Sequence, residues 1–130
     1  MPMYVEVVSP ESVLFGGEAD MVVARTTEGE VAFLPGHAPF LGALVVSKLR
    51  VILPEGGEEV AAVHGGFIEV RDDRVIVLSD TAELASQIDI ERARHAKERA
   101  EEQLHHEHDA EIEGALARAT LRLDVGELQS

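Results

Sequence analysis

Ile88-Asp89-Ile90-Glu91-Arg92-Ala93 opens a stretch that runs on through Lys97-Glu98-Arg99-Ala100, is interrupted from His105 to Asp109, and resumes to Arg118, Arg122 and Leu123. Ala93, Ala96, Ala100 and Leu104 recur at helical spacing, as do Ile112, Ala115, Leu116, Ala119 and Leu123. The period predicts two helices joined by a polar turn. Asp89 is placed to cap the first, accepting from the free amides of its opening turn, and Ile88 with Ala93 forms a weak hydrophobic staple. Both stripes are mostly alanine, so the helices can approach closely yet bury little, since a CH₂-sized group contributes only about 0.8 kcal/mol. A hairpin zipped this weakly is expected to open.

N-terminal to this stretch the pattern is different. Tyr4 to Val8, Val13 to Phe15, Ala19 to Arg25, Val31 to Leu34, Phe40 to Val46, Leu49 to Leu53, Val60 to Val63, Phe67 to Val70 and Val75 to Leu78 read as short strands. Ser9-Pro10, Gly16-Gly17, Thr26 to Gly29, Pro54 to Gly57 and Asp72-Asp73 supply turn chemistry between them. Pro35-Gly36-His37-Ala38-Pro39 is a rigid loop. Strands at this spacing imply a β-sandwich or barrel. From about Ala82 prolines vanish and Ala, Glu and Arg dominate, so the boundary falls near Ala85 to Gln87: residues 1–85 form the β domain and 86–130 the hairpin, an α+β chain.

With 130 residues, 45% of them hydrophobic, a sizeable core is available, and valine rather than aromatics (4%) fills it. Cysteine is absent, which excludes disulfides and thiolate chemistry and favours a reducing compartment. No apolar run is long enough to span a bilayer, and no basic-then-apolar leader is expected at Met1. A formal charge of −14 repels nucleic acid and anionic membrane surfaces, so any phosphate-binding patch must be local.

Four arginines are candidates for such a patch. Arg118 and Arg122 are four apart and Arg92 and Arg99 seven apart, each pair on one helical face. The closer pair repels by roughly 0.2–0.5 kcal/mol. If the helices run antiparallel, the four guanidiniums converge on one anion, which their forked donors suit. Asp89 and Glu83 would accept from the same ligand. The alternative is a solvated face on which Glu91, Glu98, Glu101 and Glu102 neutralise the arginines.

His105, His106, His108 and Asp109 resemble metal ligands on paper, but a turn without supporting partners predicts solvation instead, so no metal site is expected. His37 and His64 have no nucleophile pattern beside them, and no catalytic residue is assigned. Gly65-Gly66 precedes no helix, which favours a turn or close backbone packing over a dinucleotide loop. Asp72-Asp73 reads as a turn.

Thr26-Thr27-Glu28-Gly29-Glu30-Val31-Ala32-Phe33-Leu34-Pro35-Gly36-His37-Ala38-Pro39-Phe40 resembles the signature loop of the epsilon subunits of F-type ATP synthases (delta in mitochondria). Gly65 to Val70 followed by Arg74 to Glu83 is similar to the same family, as are Ile88 to Ala93, which follows its nucleotide motif, and Ala117 to Leu123, which follows its closing helix. The resemblance spans about Met3 to Val125. It implies a ten-stranded β-sandwich followed by a two-helix hairpin, in a non-catalytic subunit of the central rotor stalk of a proton-translocating synthase. The partners it implies are the gamma subunit, the membrane c-ring and, with the hairpin extended, the alpha/beta catalytic head; nucleic acid is not among them. The location implied is peripheral, on the cytoplasmic face of the inner membrane.

Carried over position by position, Glu28, Glu30 and His37 would face the c-ring. ATP, a regulatory ligand rather than a required cofactor, would be held by Glu83, Ile88, Asp89, Arg92, Ala93, Arg99, Arg118 and Arg122. The folded hairpin would permit ATP hydrolysis and the extended one block it. A purely structural coupler without nucleotide sensing is the alternative. Two features depart from the family pattern: the His-rich turn at His105 to His108 and the acidic tail Asp124 to Glu127.

Overall fold

The structure, a computed structural model, describes residues 2–107 and 109–127. Backbone contacts divide the chain between Leu84 and Ala85. The first unit is built from β1 (Met3–Val8), β2 (Val13–Ala19), β3 (Met21–Thr26), β4 (Gly29–Phe33), β5 (Phe40–Ile52), β6 (Glu58–Arg71), β7 (Arg74–Leu78) and β8 (Ala82–Leu84). The strand order is β2-β1-β7-β6-β5-β3-β4, with β8 on β6; β1 and β7 run parallel and every other pair antiparallel.

Among the described residues eight strands replace the expected ten. Phe40–Ile52 and Glu58–Arg71 are each one strand where the sequence reads two, because they pair with each other along nearly their whole length in one register. β6 changes its other neighbour midway: Ala61 to Val63 pair with β8, and Phe67 to Arg71 pair with β7. The change falls at Gly65-Gly66, so this pair is the corner where one sheet turns into two layers. A Cβ on Gly66 would lie 2.1 Å from the Leu78 carbonyl oxygen, and its φ of +112° is one that only glycine holds without strain. The close packing expected of these glycines is present; a turn is not. Gly16-Gly17 likewise sits inside β2 instead of closing it, and β8 escapes the sequence pattern because three residues carry no period.

The core is a valine layer, as expected. Val5, Val7, Val22, Val70, Val75 and Val77 are buried with Met3, Phe33, Leu49 and Ile68. At Asp72-Asp73 both residues have positive φ (50° and 59°) between the closing pair Arg71 and Arg74, the two-residue hairpin geometry that Asp tolerates.

The second unit opens with a 3₁₀ turn, Ala85–Gln87, followed by α1 (Ile90–Leu104) and α2 (Ala110–Glu127). Asp89 caps α1, accepting from the Arg92 amide at 3.0 Å. A second cap, Asp109, accepts from the Glu111 amide at 2.8 Å. Ala93, Ala100, Ile112 and Ala119 are buried, as their spacing predicts. At the open end a Cβ on Gly126 would stand 3.2 Å from side-chain carbons of both Ile88 and Ile90, so the end of α2 lies against the beginning of α1. The helices are therefore antiparallel. Among the described residues no three His, Cys, Asp or Glu gather as a metal site, and no helix is long and apolar enough to cross a membrane. His108, counted with the His-rich turn, lies outside the described residues.

Candidate functional site

Three surfaces carry the candidate residues. The first is on the β unit and was not anticipated as a surface. The register aligns Ala43, Phe67, Leu78, Val8 and Val13 across β5, β6, β7, β1 and β2. Residues paired across strands project from the same face. Phe67 is 57% exposed, Leu78 53% and Val13 60%, so the row is an open apolar stripe. It borders a shallow cleft of about 470 Å³ lined by Val8, Pro10, Phe67, Leu78 and Asp80 among others. Leu41, 70% exposed, stands two residues from Ala43 on the same side. The signal was in the sequence: Phe67-Ile68-Glu69-Val70 and Val75-Ile76-Val77-Leu78 carry apolar residues at positions of both parities, so both sheet faces are apolar while only one meets the core.

The second surface runs along the edge strand β4. Glu28 lies in the tight β3–β4 turn, where its amide donates to Thr26 Oγ1 at 3.1 Å. Glu30 is in β4 itself, opposite Arg25, and the two side chains pair at 3.5 Å with both about 60% exposed. Such a pair contributes little and exchanges readily for another cation. His37 follows β4, in a turn closed by its own amide on the Leu34 carbonyl at 3.1 Å. Gly36 at the third position has φ +86°, which fits a Pro-Gly turn. β4 rises by about 3.3 Å per residue, so Glu28 and His37 sit at opposite ends of the strand. The three residues share an edge, not one loop.

The His37 ring is fixed. Its Nδ1 donates to the Ala38 carbonyl at 2.7 Å, and its edge meets the buried Phe33 ring at 4.9 Å between centroids. Phe40 completes the cluster, 5.2 Å from Phe33. It reaches there because Gly42 has no side chain: a Cβ would stand 2.7 Å from the Phe40 ring.

The third surface is on the hairpin. Counting back from the Gly126 contact at equal rise per residue, Arg122 is level with Ala93 and Arg118 with Lys97. Both levels fall between Arg92 and Arg99, which are about 10 Å apart along α1. Antiparallel packing thus gathers the four arginine positions into one short segment. Their side chains differ in state. Arg92 and Arg99 are exposed and have no ion pair among the described residues, although Glu91, Glu98, Glu101 and Glu102 surround them. Glu91 pairs instead with Arg94, and Glu102 with His106 at 3.3 Å. Arg118 lies back over Gly114 and pairs with Glu111 at 3.3 Å. Arg122 is half-buried, Ile88 and Ala93 are buried, and one Asp89 carboxylate oxygen is committed to the cap. Glu83 belongs to the β unit. Its carboxylate contacts His64 Nε2 at 3.4 Å, and the His64 side chain is 4% exposed.

A β-sandwich with an exposed apolar sheet face, followed by an antiparallel helical hairpin, describes a subunit that docks onto another protein. Residues 2–85 match the family described as "ATP synthase, Delta/Epsilon chain, beta-sandwich domain", and residues 86–127 the one described as "ATP synthase, Delta/Epsilon chain, long alpha-helix domain". The chain is 46% identical over 129 residues to the ATP synthase epsilon chain of Halalkalibacterium halodurans, covering 95% of this chain and 96% of that one. It is 48% identical over 124 residues to the epsilon chain of Thermobifida fusca, covering 93% and 89%. In fold it is similar to a chain of the Euglena gracilis mitochondrial ATP synthase OSCP/F1/c-ring structure, with a TM-score of 0.73 and 22% identity over 97% of this chain and 78% of that one. A chain of the Tetrahymena thermophila mitochondrial ATP synthase central stalk and c-ring gives a TM-score of 0.58 at 13% identity, over 99% of this chain and 96% of that one. The chain belongs to the ATP synthase delta/epsilon family and is a non-catalytic subunit of that synthase.

Proposed function

We propose that this chain joins the gamma subunit to the c-ring of a proton-translocating ATP synthase and restrains ATP hydrolysis through a nucleotide-sensitive hairpin. The sheet row Phe67, Leu78, Val8 and Val13 is the gamma-docking face. An exposed apolar stripe in a chain of charge −14 is stable in water only at a cost that a partner removes. The β4 edge, with Glu30 and His37 and with Glu28 at its far end, meets the basic polar loops of the c-ring, where Glu30 exchanges its weak Arg25 pair for a ring cation. The assembly places the chain at the cytoplasmic face of the inner membrane, peripherally.

ATP is the ligand of the closed hairpin. The observation that carries this is the pair of exposed guanidiniums, Arg92 and Arg99, which have no ion pair among the described residues despite their acidic neighbours and which bracket the levels of Arg118 and Arg122 along α1. Ile88 and Ala93 shape the apolar end of that segment and Asp89 offers its remaining carboxylate oxygen. ATP is a signal here, not a substrate, since the sequence holds no phosphate loop or base to process it. Nucleotide at ten times its dissociation constant adds about 1.4 kcal/mol to the closed form. When ATP falls, the alanine seam opens and the extended helices reach the alpha/beta head and inhibit it.

Calorimetric titration of the full chain with ATP tests this. Binding is expected, weakened at least tenfold by Arg92→Ala or Arg122→Ala. No binding at millimolar ATP, together with unchanged hydrolysis when residues after Ser86 are deleted, would leave a structural coupler.

A further inference from the structure

The β6–β7 turn reaches a part of the chain distant in sequence. The Asp73 carboxylate Oδ1 accepts from the Gly36 amide at 2.6 Å, across 37 residues, while the Asp73 carbonyl accepts from the Tyr4 amide at 2.9 Å. One residue therefore ties the Leu34-to-Pro39 loop to the hairpin turn and to the first strand. Its backbone is set for this: with φ +59°, Asp73 occupies the left-handed region that Asp adopts more readily than Ala. Gly36 is the residue before His37, so the bond fixes the amide plane on which the His37 turn is built. Two further contacts hold the ring itself, the Nδ1 bond to the Ala38 carbonyl and the edge packing on Phe33.

We propose that Asp73 is a positioning residue for c-ring docking: its carboxylate clamps the Gly36 amide, so that the loop presents the His37 imidazole in one fixed orientation with Nε2 available to the ring. This rests on the reading of His37 as a c-ring contact. An ordered loop docks without first surrendering its freedom, which is where a clamp outside the contact surface raises affinity. The bond is charge-assisted and stronger than a neutral one.

The test measures amide exchange in the full chain by NMR and its affinity for purified c-ring in detergent. Asp73→Ala is expected to speed Gly36 exchange roughly tenfold and to weaken c-ring binding as far as His37→Ala does. Asp73→Asn, which keeps a neutral acceptor and the backbone tolerance, should fall between. Asp72→Ala imposes the same kind of backbone strain, at φ +50°, on a residue that does not touch Gly36, and should match wild type in both readouts. Unchanged Gly36 exchange in both Asp73 variants overturns the proposal, as does faster exchange with undiminished c-ring affinity while His37→Ala is impaired. Normal binding by His37→Ala refutes the reading of His37 and the proposal with it.

Discussion

Replacing Gly66 by alanine should destabilise the β unit far more than the same change one residue earlier. At Gly66 the new Cβ would lie 2.1 Å from the Leu78 oxygen, 2.8 Å from Ser79 Cα and 3.0 Å from the Leu78 carbonyl carbon. All three are backbone atoms, so no side chain can rotate away, and β6 and β7 must separate by about 1 Å to restore ordinary contact. Separation strains the Phe67–Leu78 pairing and the 2.8 Å bond from Ser79 Oγ to the Gly65 carbonyl. At Gly65 φ is +91° but the nearest atom, the Leu44 oxygen, is 3.9 Å away, so alanine there meets only the conformational penalty. That penalty is about 1–2 kcal/mol. Gly66→Ala adds overpacking of about 1–3 kcal/mol, for a total of about 4 kcal/mol. A loss of that size lowers Tm by about 15 °C. Urea and thermal unfolding followed by the circular dichroism of the strands will measure both variants. Equal losses at the two positions, or a Gly66→Ala loss below 1 kcal/mol, would refute the view that this pair is a corner set by backbone contact.

The apolar stripe is predicted to matter for assembly and not for folding. Phe67→Ser with Leu78→Ser should shift unfolding by under about 1 kcal/mol, because both side chains are already more than half exposed, and should weaken binding to purified gamma at least tenfold; unimpaired binding would move the docking face elsewhere. At the hairpin, Gly126→Ala places a methyl 3.2 Å from Ile88 and Ile90. Ile88 is buried there and must shift by a few tenths of an ångström, so the closed form should lose about 1 kcal/mol. Distance measurements between labels on the two helices should show a larger open fraction, and an unchanged distribution would show that the open end does not control closure.

Helical period, alanine stripes and the Asp89 cap specified α1 and α2 from local sequence alone, because capping and a one-sided apolar face act within a few turns. The valine-rich alternation likewise determined that residues up to about 85 form a β core. Pairing was decided only in three dimensions. Gly65-Gly66 looks like the end of a strand in sequence, and becomes the bend of a continuous one because β5 lies beside it in unbroken register. The stripe from Ala43 to Val13 joins five strands that no local pattern connects, and Asp73 meets Gly36 only because the fold brings two turns to one place. On the hairpin, spacing put the arginines on helical faces, while their partners were a tertiary outcome: Arg118 took Glu111, and Arg92 and Arg99 took none of the glutamates beside them. Local chemistry sets which elements form; which side chains meet depends on strand register and helix packing, and these are fixed by contacts between residues far apart in the chain.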